Sequence, residues 1–453
     1  MKEFIIFKFL SNKDLKTKII KMAMLLVALF LTFLNRSFGC VGVILSAIFI
    51  LFEFSADSIV WLMLTGLNVP YIKIFWLHIL MWEFGLILLI RLIVSIVNKK
   101  FNAKDWKFIT LVCLFSLLSI FILLPVSKSY VFSSQIKSLG MFACLILLAL
   151  QIKEVRIKDI LIIFSLTVGI TCVLFLIAKS FGKGNDVLLR NKYSNGIVNR
   201  FSLFNLDPNF TGLALICAFV SIFFLYKKKV INKYLYFSLF TLYLCFSFMT
   251  ISKATFIILA LFGAYIGIEN IVVSVKTKNA KHLLELLYYL GALLIAVAVC
   301  WKYVDATFYR FSSSFGNEEG DEMMSSLTTG RTDLWSAYIK AIFSSWQNAL
   351  FGVGIAGDYA VNGTAAHCMF ISYLYRYGLI NVIILFTIFV VAILPYINKV
   401  KVYSVILPLI ITGMLFSLGS TSPRYIYIFA IEYFIISFNG IDYKKQIKNN
   451  TDE

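Results

Sequence analysis

The sequence predicts an all-α polytopic integral membrane protein, and two observations carry that prediction. Hydrophobic residues make up 60% of the 453 positions and aromatic residues 16%, which is far from the usual composition of soluble domains. Apolar runs long enough for a helix to cross the hydrocarbon recur along almost the whole chain. Because these runs are continuous rather than alternating, they favour helices over the strands of a membrane barrel.

The positive charge is distributed in a way that indicates orientation in the membrane. The formal net charge is +19, yet the lysines stand in short clusters between apolar runs, such as KKKVINK at 227–233 and KTKNAKH at 276–282. Clusters of this kind are typical of cytoplasmic loops. Nucleic-acid binding would instead need the charge on one soluble module with interleaved aromatic residues, and the sequence contains no such module.

With these clusters taken as cytoplasmic, the apolar runs give a self-consistent set of membrane spans. From residue 72 onward they lie near 72–97, 106–125, 139–152, 160–178, 210–226, 234–250, 254–273, 283–301, 369–397, 405–419 and 424–438. Residues 22–35 and 40–69 supply either one further span or three. Since both termini are expected to be cytoplasmic, the total is even, so we expect about 12 spans, with 14 as the alternative.

The whole chain, 1–453, is expected to form a single membrane domain. A cytoplasmic N-terminus (1–21) and a cytoplasmic tail (439–453) flank it, and two large external loops interrupt it at 179–209 and 302–366. The basic start leads into an apolar run without a small-residue cleavage site, so the first helix is expected to remain in the protein.

The cysteines are predicted to be structural, with one exception. Most of the eight stand singly in apolar runs and no CxxC pair occurs, which favours small core residues over disulfides. Cys368 follows a polar segment and is therefore expected to lie beside an outward-facing aqueous site, where it would react with thiol reagents.

The two external loops contain most of the polar residues that indicate function. The first carries five basic and two acidic residues, an excess that is disfavoured on the outer face and suits an anionic partner, although a solvated loop explains it equally well. In the second, the apolar spacing of Thr332 to Ser345 predicts an amphipathic helix on the membrane surface. The acidic run 317–322 is better explained as a solvated segment than as a cation site.

His367 stands at the start of the apolar run that continues to residue 397. In a continuous helix, Gly378 would share a face with His367, and a glycine there would let a neighbouring helix approach closely. The ordinary pKa of histidine is about 6.5, so this side chain could act as a general base. A helix cap or an interfacial residue is the alternative interpretation.

Four short elements occur in an order that resembles a known family. RFSLFNLDPN from Arg200 resembles an Arg and Asp/Asn-Pro-Asn element after a large outer loop, and TGRTDLW at 329–335 resembles a Gly-Arg-x-x-x-Trp element. The stretch from His367 to Asn381 is similar to His-Asn-x9-Gly-x-x-Gly, with Cys368 in place of Asn and Asn381 in place of the last Gly. TISK at 250–253 resembles a Ser-Arg turn between helices, with lysine in place of arginine.

Together these elements, which span roughly residues 160–400, resemble the O-antigen polymerase and O-antigen ligase superfamily. The resemblance implies an integral membrane glycosyltransferase that uses an undecaprenyl-pyrophosphate-linked oligosaccharide as donor. A polymerase would transfer the glycan to another lipid-linked repeat unit, and a ligase would transfer it to a different acceptor. The expected partners are the lipid-linked donor, membrane lipid, a chain-length regulator and a flippase.

The resemblance also assigns roles to individual residues. Arg200 and Arg331 would hold the pyrophosphate, because the planar guanidinium suits phosphate oxygens, and Arg190 is a third candidate. His367 would be the catalytic base. Supporting roles fall to Asp207, Asn209, Asp333, Trp335 and Lys253. Because arginines would stabilise the leaving group, no metal ion and no cofactor are expected.

A transporter of lipid-linked oligosaccharides is the alternative from another functional class. Such proteins also have 12 to 14 helices, and Glu83 and Arg91 are charges within predicted spans. Transporters are often built from internal repeats with sites near the bilayer midplane. The sequence has no detectable repeat and its candidate residues lie in the outer loops, so it favours the transferase.

Overall fold

A computed structural model describes the second half of the chain most fully. The described residues are 157–182, 188–193, 196–202, 208–312, 331–353, 361, 366–397, 401–417, 431–432 and 435–437, with the single positions 23, 27, 97 and 110. The predicted spans at 72–97, 106–125 and 139–152 lie outside these ranges except for residues 97 and 110, which are helical. The total of about 12 spans therefore stays a prediction.

Within the described ranges the chain forms ten α-helices, one two-stranded sheet and a short 3₁₀ helix at Met414–Ser417. In chain order they are α1 (Ile157–Ser180), β1 (Leu188–Tyr193), β2 (Gly196–Phe201), α2 (Pro208–Lys227), α3 (Lys233–Met249), α4 (Lys253–Thr277), α5 (Lys281–Val299), α6 (Trp301–Ser312), α7 (Arg331–Ile342), α8 (Trp346–Phe351), α9 (Met369–Ile397) and α10 (Tyr403–Gly413).

Four of these helices, α1, α2, α4 and α5, are long and apolar enough to cross a membrane. Helices α3 and α10 and the first part of α9 are shorter but also apolar. The observed helices begin and end within a few residues of the predicted spans from 160 to 301. These findings agree with a membrane-embedded, mainly α-helical protein.

Helix α2 is the centre of the described bundle. It packs against α1, α3, α4 and α10, and 83% of its most apolar 18-residue stretch is buried. Aromatic side chains make the contacts: the ring of Phe219 lies 5.1 Å from Phe240 and 6.2 Å from Phe262. Since lipid is as apolar as these side chains, close packing of this kind, rather than exclusion from water, holds membrane helices together.

Helices α4 and α5 form the periphery of the described bundle. Only 22% of the most apolar 18-residue stretch of α4 is buried, and only 11% of that of α5. The exposed side chains are almost all aliphatic, for example Leu261, Ile268, Leu287 and Leu294. An apolar surface of this extent cannot face water. It is the surface expected of helices that contact lipid.

The segment predicted as the first external loop contains a β-hairpin that we did not predict. Strands β1 and β2 pair in antiparallel register, with Leu188 opposite Phe201 and Tyr193 opposite Gly196. The sequence does contain a signal for it, because Asn195-Gly196 separates two runs rich in strand-forming residues. In the described part of the chain, the long apolar segments are thus helical, and the small sheet lies outside them.

The segment predicted as the second external loop begins with helix α6, which was also not predicted. It follows α5 after a break at Cys300, and it buries Val304, Ala306 and Thr307 on one side. It packs against α3, α5 and the hairpin. The predicted amphipathic helix is present as α7, although it ends at Ile342 and a second short helix, α8, follows.

Helix α9 is broken at Gly378, which has φ 68° and ψ 172°. The turn after α8 fits into this break: the backbone N–H of Val353 donates to the carbonyl O of Tyr375 at 2.8 Å. A side chain on Gly378 would collide with the Leu350 carbonyl, and one on Gly352 would collide with the Arg376 carbonyl. The glycine thus allows the close approach of a neighbouring helix, as predicted: α8, whose last turn carries the Leu350 carbonyl, together with the turn that follows it.

We expect Gly378→Ala to destabilise the protein by about 2 kcal/mol or more. Alanine is disfavoured by about 1–3 kcal/mol in this backbone region, which is essentially confined to glycine, and its methyl group would also push the end of α8 out of the break. Thermal unfolding of purified protein would measure the loss. Gly291→Ala is the matched control, because nothing lies within 4 Å of a Cβ at that helical position; equal melting temperatures for the two variants would contradict the role given to Gly378.

Candidate functional site

The candidate site is built on the turn between α3 and α4, at residues Thr250 to Ser252. Ile251 is fully buried in a left-handed conformation with φ 49°, which is unusual for a β-branched residue. Ser252 caps α4, because its hydroxyl accepts from the backbone N–H of Thr255 at 3.3 Å. The TISK element therefore does form a turn between two helices, as predicted.

The start of α2 is joined to this turn. The Ser252 hydroxyl donates to Oδ1 of Asn209 at 2.6 Å, so Asn209, predicted as a supporting residue, contacts the α4 cap directly. Gly212 makes the approach possible, because a Cβ at that position would overlap the Thr255 hydroxyl. The N-terminal ends of α2 and α4 thus lie side by side.

The hairpin places Arg200 against the same turn. Phe201 is fully buried, with its ring 4.7 Å from Phe175 on α1 and 4.8 Å from Phe246 on α3. Val198 packs with Ile251 and Ala306. Since residues two apart in a strand share a face, Arg200 lies on the side of Val198, and its Nε donates to the Thr250 carbonyl at 3.0 Å.

A second arginine, Arg310 on α6, reaches the turn as well. Its guanidinium donates to the carbonyl of Ile251, the residue next to the one that Arg200 contacts. Nζ of Lys253, the first residue of α4, lies 5.8 Å from the ring centroid of Phe311. Arg310 was not among the predicted site residues. The sequence offers no motif for it, because its place depends on α6 folding back onto the hairpin.

Arg331, the first residue of α7, connects this turn to the segment around His367. Its charge acts on the Lys253 ammonium, as does that of Arg310, and it also acts on the Cys368 thiol. On the next turn of α7, the indole N–H of Trp335 donates to the Ala366 carbonyl at 2.7 Å. The Gly-Arg element therefore contacts the residue that directly precedes His367.

His367 precedes helix α9, which begins at Met369. Its backbone is left-handed with φ 48°, and its side chain is exposed between buried Ala366 and buried Cys368. The expectation that His367 and Gly378 share one helix face is therefore wrong, because His367 is outside the helix and the helix is broken at Gly378. Strained residues of this kind cluster at functional sites.

The expectation that Cys368 is accessible is also wrong. Its side chain is 2% exposed. Burial raises the pKa of the thiol, while hydrogen bonds from the backbone N–H groups of Ile371 and Phe370 and the charge of Arg331 act in the opposite direction. The other described cysteines are free as well, and most are buried, in agreement with the structural role predicted for them.

We therefore expect Cys368 to react slowly with a membrane-impermeant maleimide. Labelling needs both access and thiolate, and burial reduces both. A cysteine introduced at Lys340, which is exposed on α7, is the matched control and should react much faster when the two peptides are compared by mass spectrometry. Equal labelling rates for Cys368 and the cysteine at position 340 would contradict the burial of Cys368.

The remaining predicted residues are placed less completely. Arg190 lies on β1 opposite Asn199, and its side chain is outside the described part of the chain. Asp207 and the acidic run 317–322 also lie outside it. Asp333 is exposed in the first turn of α7, next to Trp335 and Arg331 in sequence. The functional roles of these residues stay predictions.

Two arginines contact the α3–α4 turn through its carbonyls, Arg200 and Arg310, and Lys253 directly follows it. Arg331 is near enough for its charge to act on Lys253. We call these four residues, all of them half-buried, the cationic cluster. Helices α2 and α4 begin beside the turn, and helix N-termini carry partial positive charge and favour anions. The arrangement can therefore hold a multiply charged anion.

Compared with known proteins, the chain matches no family model, no curated protein and no solved structure. The sequence elements and the geometry described above are therefore the basis for a functional proposal.

Proposed function

We propose that the protein is a glycosyltransferase of the O-antigen polymerase type. It would join undecaprenyl-pyrophosphate-linked repeat units into a polysaccharide, such as O-antigen, capsule or exopolysaccharide, on the outer face of a bacterial cytoplasmic membrane. The observation that carries the proposal is the cationic cluster, which Arg331 links to the segment around His367. All four sequence elements contribute to this region through direct contacts or charge interactions.

The cluster suits a lipid pyrophosphate. Half-buried cations of like charge repel one another, and an anion with several oxygens relieves that repulsion while accepting charge-assisted hydrogen bonds. Guanidinium groups contribute most, because their planar donors match pairs of phosphate oxygens. The helix N-termini add favourable partial charges.

The reaction can be written with the residues in these roles. His367 accepts the proton of an acceptor hydroxyl as that oxygen attacks the anomeric carbon of the donor sugar. The bond between the anomeric carbon and the pyrophosphate oxygen breaks, and the electron pair leaves with the pyrophosphate. Arg331 and the rest of the cluster stabilise this developing charge. The products are one new glycosidic bond and undecaprenyl pyrophosphate.

The proposed orientation follows from the lysine clusters. Helices α2 and α4 begin at the cationic cluster and end near Lys227–Lys229 and Lys276–Lys278. Since basic clusters mark the cytoplasmic side, the opposite ends of these helices face outward. We infer that about 12 spans complete the protein and that both external loops contribute to the site.

Transport of the same lipid-linked glycan is the second candidate, and two observations favour it. Helix α9 is discontinuous at Gly378, and Glu432 is 3% exposed among apolar residues with its Oε1 2.7 Å from the Thr412 hydroxyl. Broken helices and buried carboxylates are features of transporters. The cationic cluster, however, lies at helix ends rather than at their middle, which suits chemistry at the membrane surface better.

The deciding experiment supplies purified protein in vesicles with undecaprenyl-pyrophosphate repeat units and no nucleotide sugars. Longer glycans that remain on undecaprenyl pyrophosphate are expected for a polymerase. Transfer only when a different acceptor lipid is added would identify a ligase. Movement of the donor across the bilayer without any new glycosidic bond would identify a transporter and contradict the proposal.

A further inference from the structure

We propose that Ile339, Phe343 and Trp346 form a membrane-contact stripe that inserts helices α7 and α8 into the outer leaflet. All three are large apolar side chains with high exposure, at 46%, 68% and 65% respectively. Ile339 and Phe343 are four residues apart and therefore neighbours on one side of α7. Trp346 opens α8 directly after the turn, and its ring lies 6.3 Å from that of Phe351.

The stripe contains only part of the apolar face that the residue spacing of this helix predicts. Ile339 belongs to that face, but Tyr338 and Ile342, which share its spacing, are each 1% exposed and pack with Ala366 and Tyr375. The rings of Tyr338 and Tyr375 lie 4.9 Å apart, edge to face. Packing against the first part of α9 thus uses one apolar face of α7 and leaves the stripe on another.

The position of α9 identifies lipid as the occupant. Beyond the break at Gly378, α9 is an apolar run with an exposed stripe of its own, Leu379, Ile383 and Phe386, at 46%, 53% and 67% exposure. The turn after α8 is hydrogen-bonded to the last turn before the break. Helix α8 therefore sits where α9 enters its apolar run, at the level of the membrane boundary.

The residues beside the stripe fit the same boundary. Lys340, Ser344 and Gln347 are exposed and are suited to the headgroup region, where a lysine can bury its methylenes and keep its ammonium in water. Tryptophan is enriched at membrane interfaces because one end of its ring system is apolar and the other can donate a hydrogen bond. Amphipathic helices of this kind lie in the interface plane.

The contact also has a consequence that rests on the proposed function. Arg331 is at the other end of the same short helix, so a helix held in the interface keeps this guanidinium at the level where the pyrophosphate of a membrane lipid is found. The lipid contact itself does not depend on which reaction the protein catalyses.

The test is photo-crosslinking of full-length protein in vesicles of phosphatidylethanolamine and phosphatidylglycerol, without any donor. The photoreactive residue benzoylphenylalanine replaces Phe343 or Trp346, and the matched controls carry it at Lys340 or Gln347. We expect several-fold more phospholipid adduct, detected by mass spectrometry, at the two stripe positions than at the controls. Melting temperatures are compared to establish that the exposed substitutions leave the fold intact.

Equal adduct yields at stripe and control positions would overturn the proposal, and so would cross-links at Phe343 or Trp346 to a second copy of the chain in place of lipid. A second measurement is independent of the introduced residue. Brominated phospholipid chains should quench the fluorescence of the wild type more than that of Trp346→Phe, and equal quenching would contradict the contact. Since neither readout involves glycosyl transfer, a failure here is distinct from a failure of the proposed reaction.

Discussion

Replacing His367 with alanine is expected to lower turnover by roughly 10²- to 10⁴-fold, the usual contribution of a general base. The side chain of His367 is exposed, and the residue before it, Ala366, is buried and accepts a hydrogen bond from Trp335. The alanine variant should still insert and bind the lipid-linked donor, because the cationic cluster is unchanged. Initial rates of glycan formation by purified protein, together with donor affinity, would measure both expectations.

His282→Ala is the matched control for this experiment. His282 lies at the start of α5, next to the lysine cluster at the opposite end of the bundle, and its loss should leave the rate unchanged. A stable His367→Ala protein that forms polymer at a near-normal rate would remove His367 from the mechanism.

Arg331→Lys is expected to be nearly as damaging as Arg331→Ala. Lysine keeps the charge but loses the planar pair of donors that grips two phosphate oxygens. A lost charge-assisted hydrogen bond is worth about 1.5–3 kcal/mol, so kcat/KM should fall by about 10- to 100-fold. The measurement is kcat/KM for the lipid-linked donor in the wild type and both variants.

The other two arginines of the cluster also hold the α3–α4 turn. Arg200 and Arg310 both donate to backbone carbonyls of the α3–α4 turn, so their replacement would alter the turn as well as the charge. The same pair of substitutions at Arg200 would show how much this structural contribution adds. Lys340→Ala, which removes an exposed charge from α7, should leave kcat/KM unchanged. Full activity of Arg331→Lys would leave only a general electrostatic role for this residue.

The sequence was sufficient to predict the helices of the membrane bundle between residues 157 and 301. Hydrocarbon thickness sets the length of each apolar run, and lysine clusters mark its cytoplasmic end, so the ends of α2 and α4 could be placed within a few residues. The hairpin, α6 and the break at Gly378 were missed. Helix α6 and the break at Gly378 depend on contacts between residues distant in sequence, such as Val353 with Tyr375. The spacing of apolar residues along the chain does not predict such contacts.

The site residues were predicted from motifs, but their arrangement was not. Contacts and charge interactions link four of the predicted residues in turn: Asn209, Lys253, Arg331 and Trp335. By contrast, no sequence motif near Arg310 indicates its role. The two errors at His367 and Cys368 share a cause. The first prediction assumed that the helix includes His367, and the second assumed that Cys368 is exposed. In the structure, the left-handed His367 lies outside the helix, and the Cys368 thiol that follows it is buried.

The most direct test of the proposed function is the stoichiometry of lipid pyrophosphate release. Purified protein in vesicles would receive labelled undecaprenyl-pyrophosphate repeat units and no nucleotide sugars, and glycosidic bonds and free undecaprenyl pyrophosphate would be counted in the same samples. We expect one undecaprenyl pyrophosphate released for each bond formed, with both signals lost together in His367→Ala. Longer glycans without release of the lipid pyrophosphate, or release without any new bond, would contradict it.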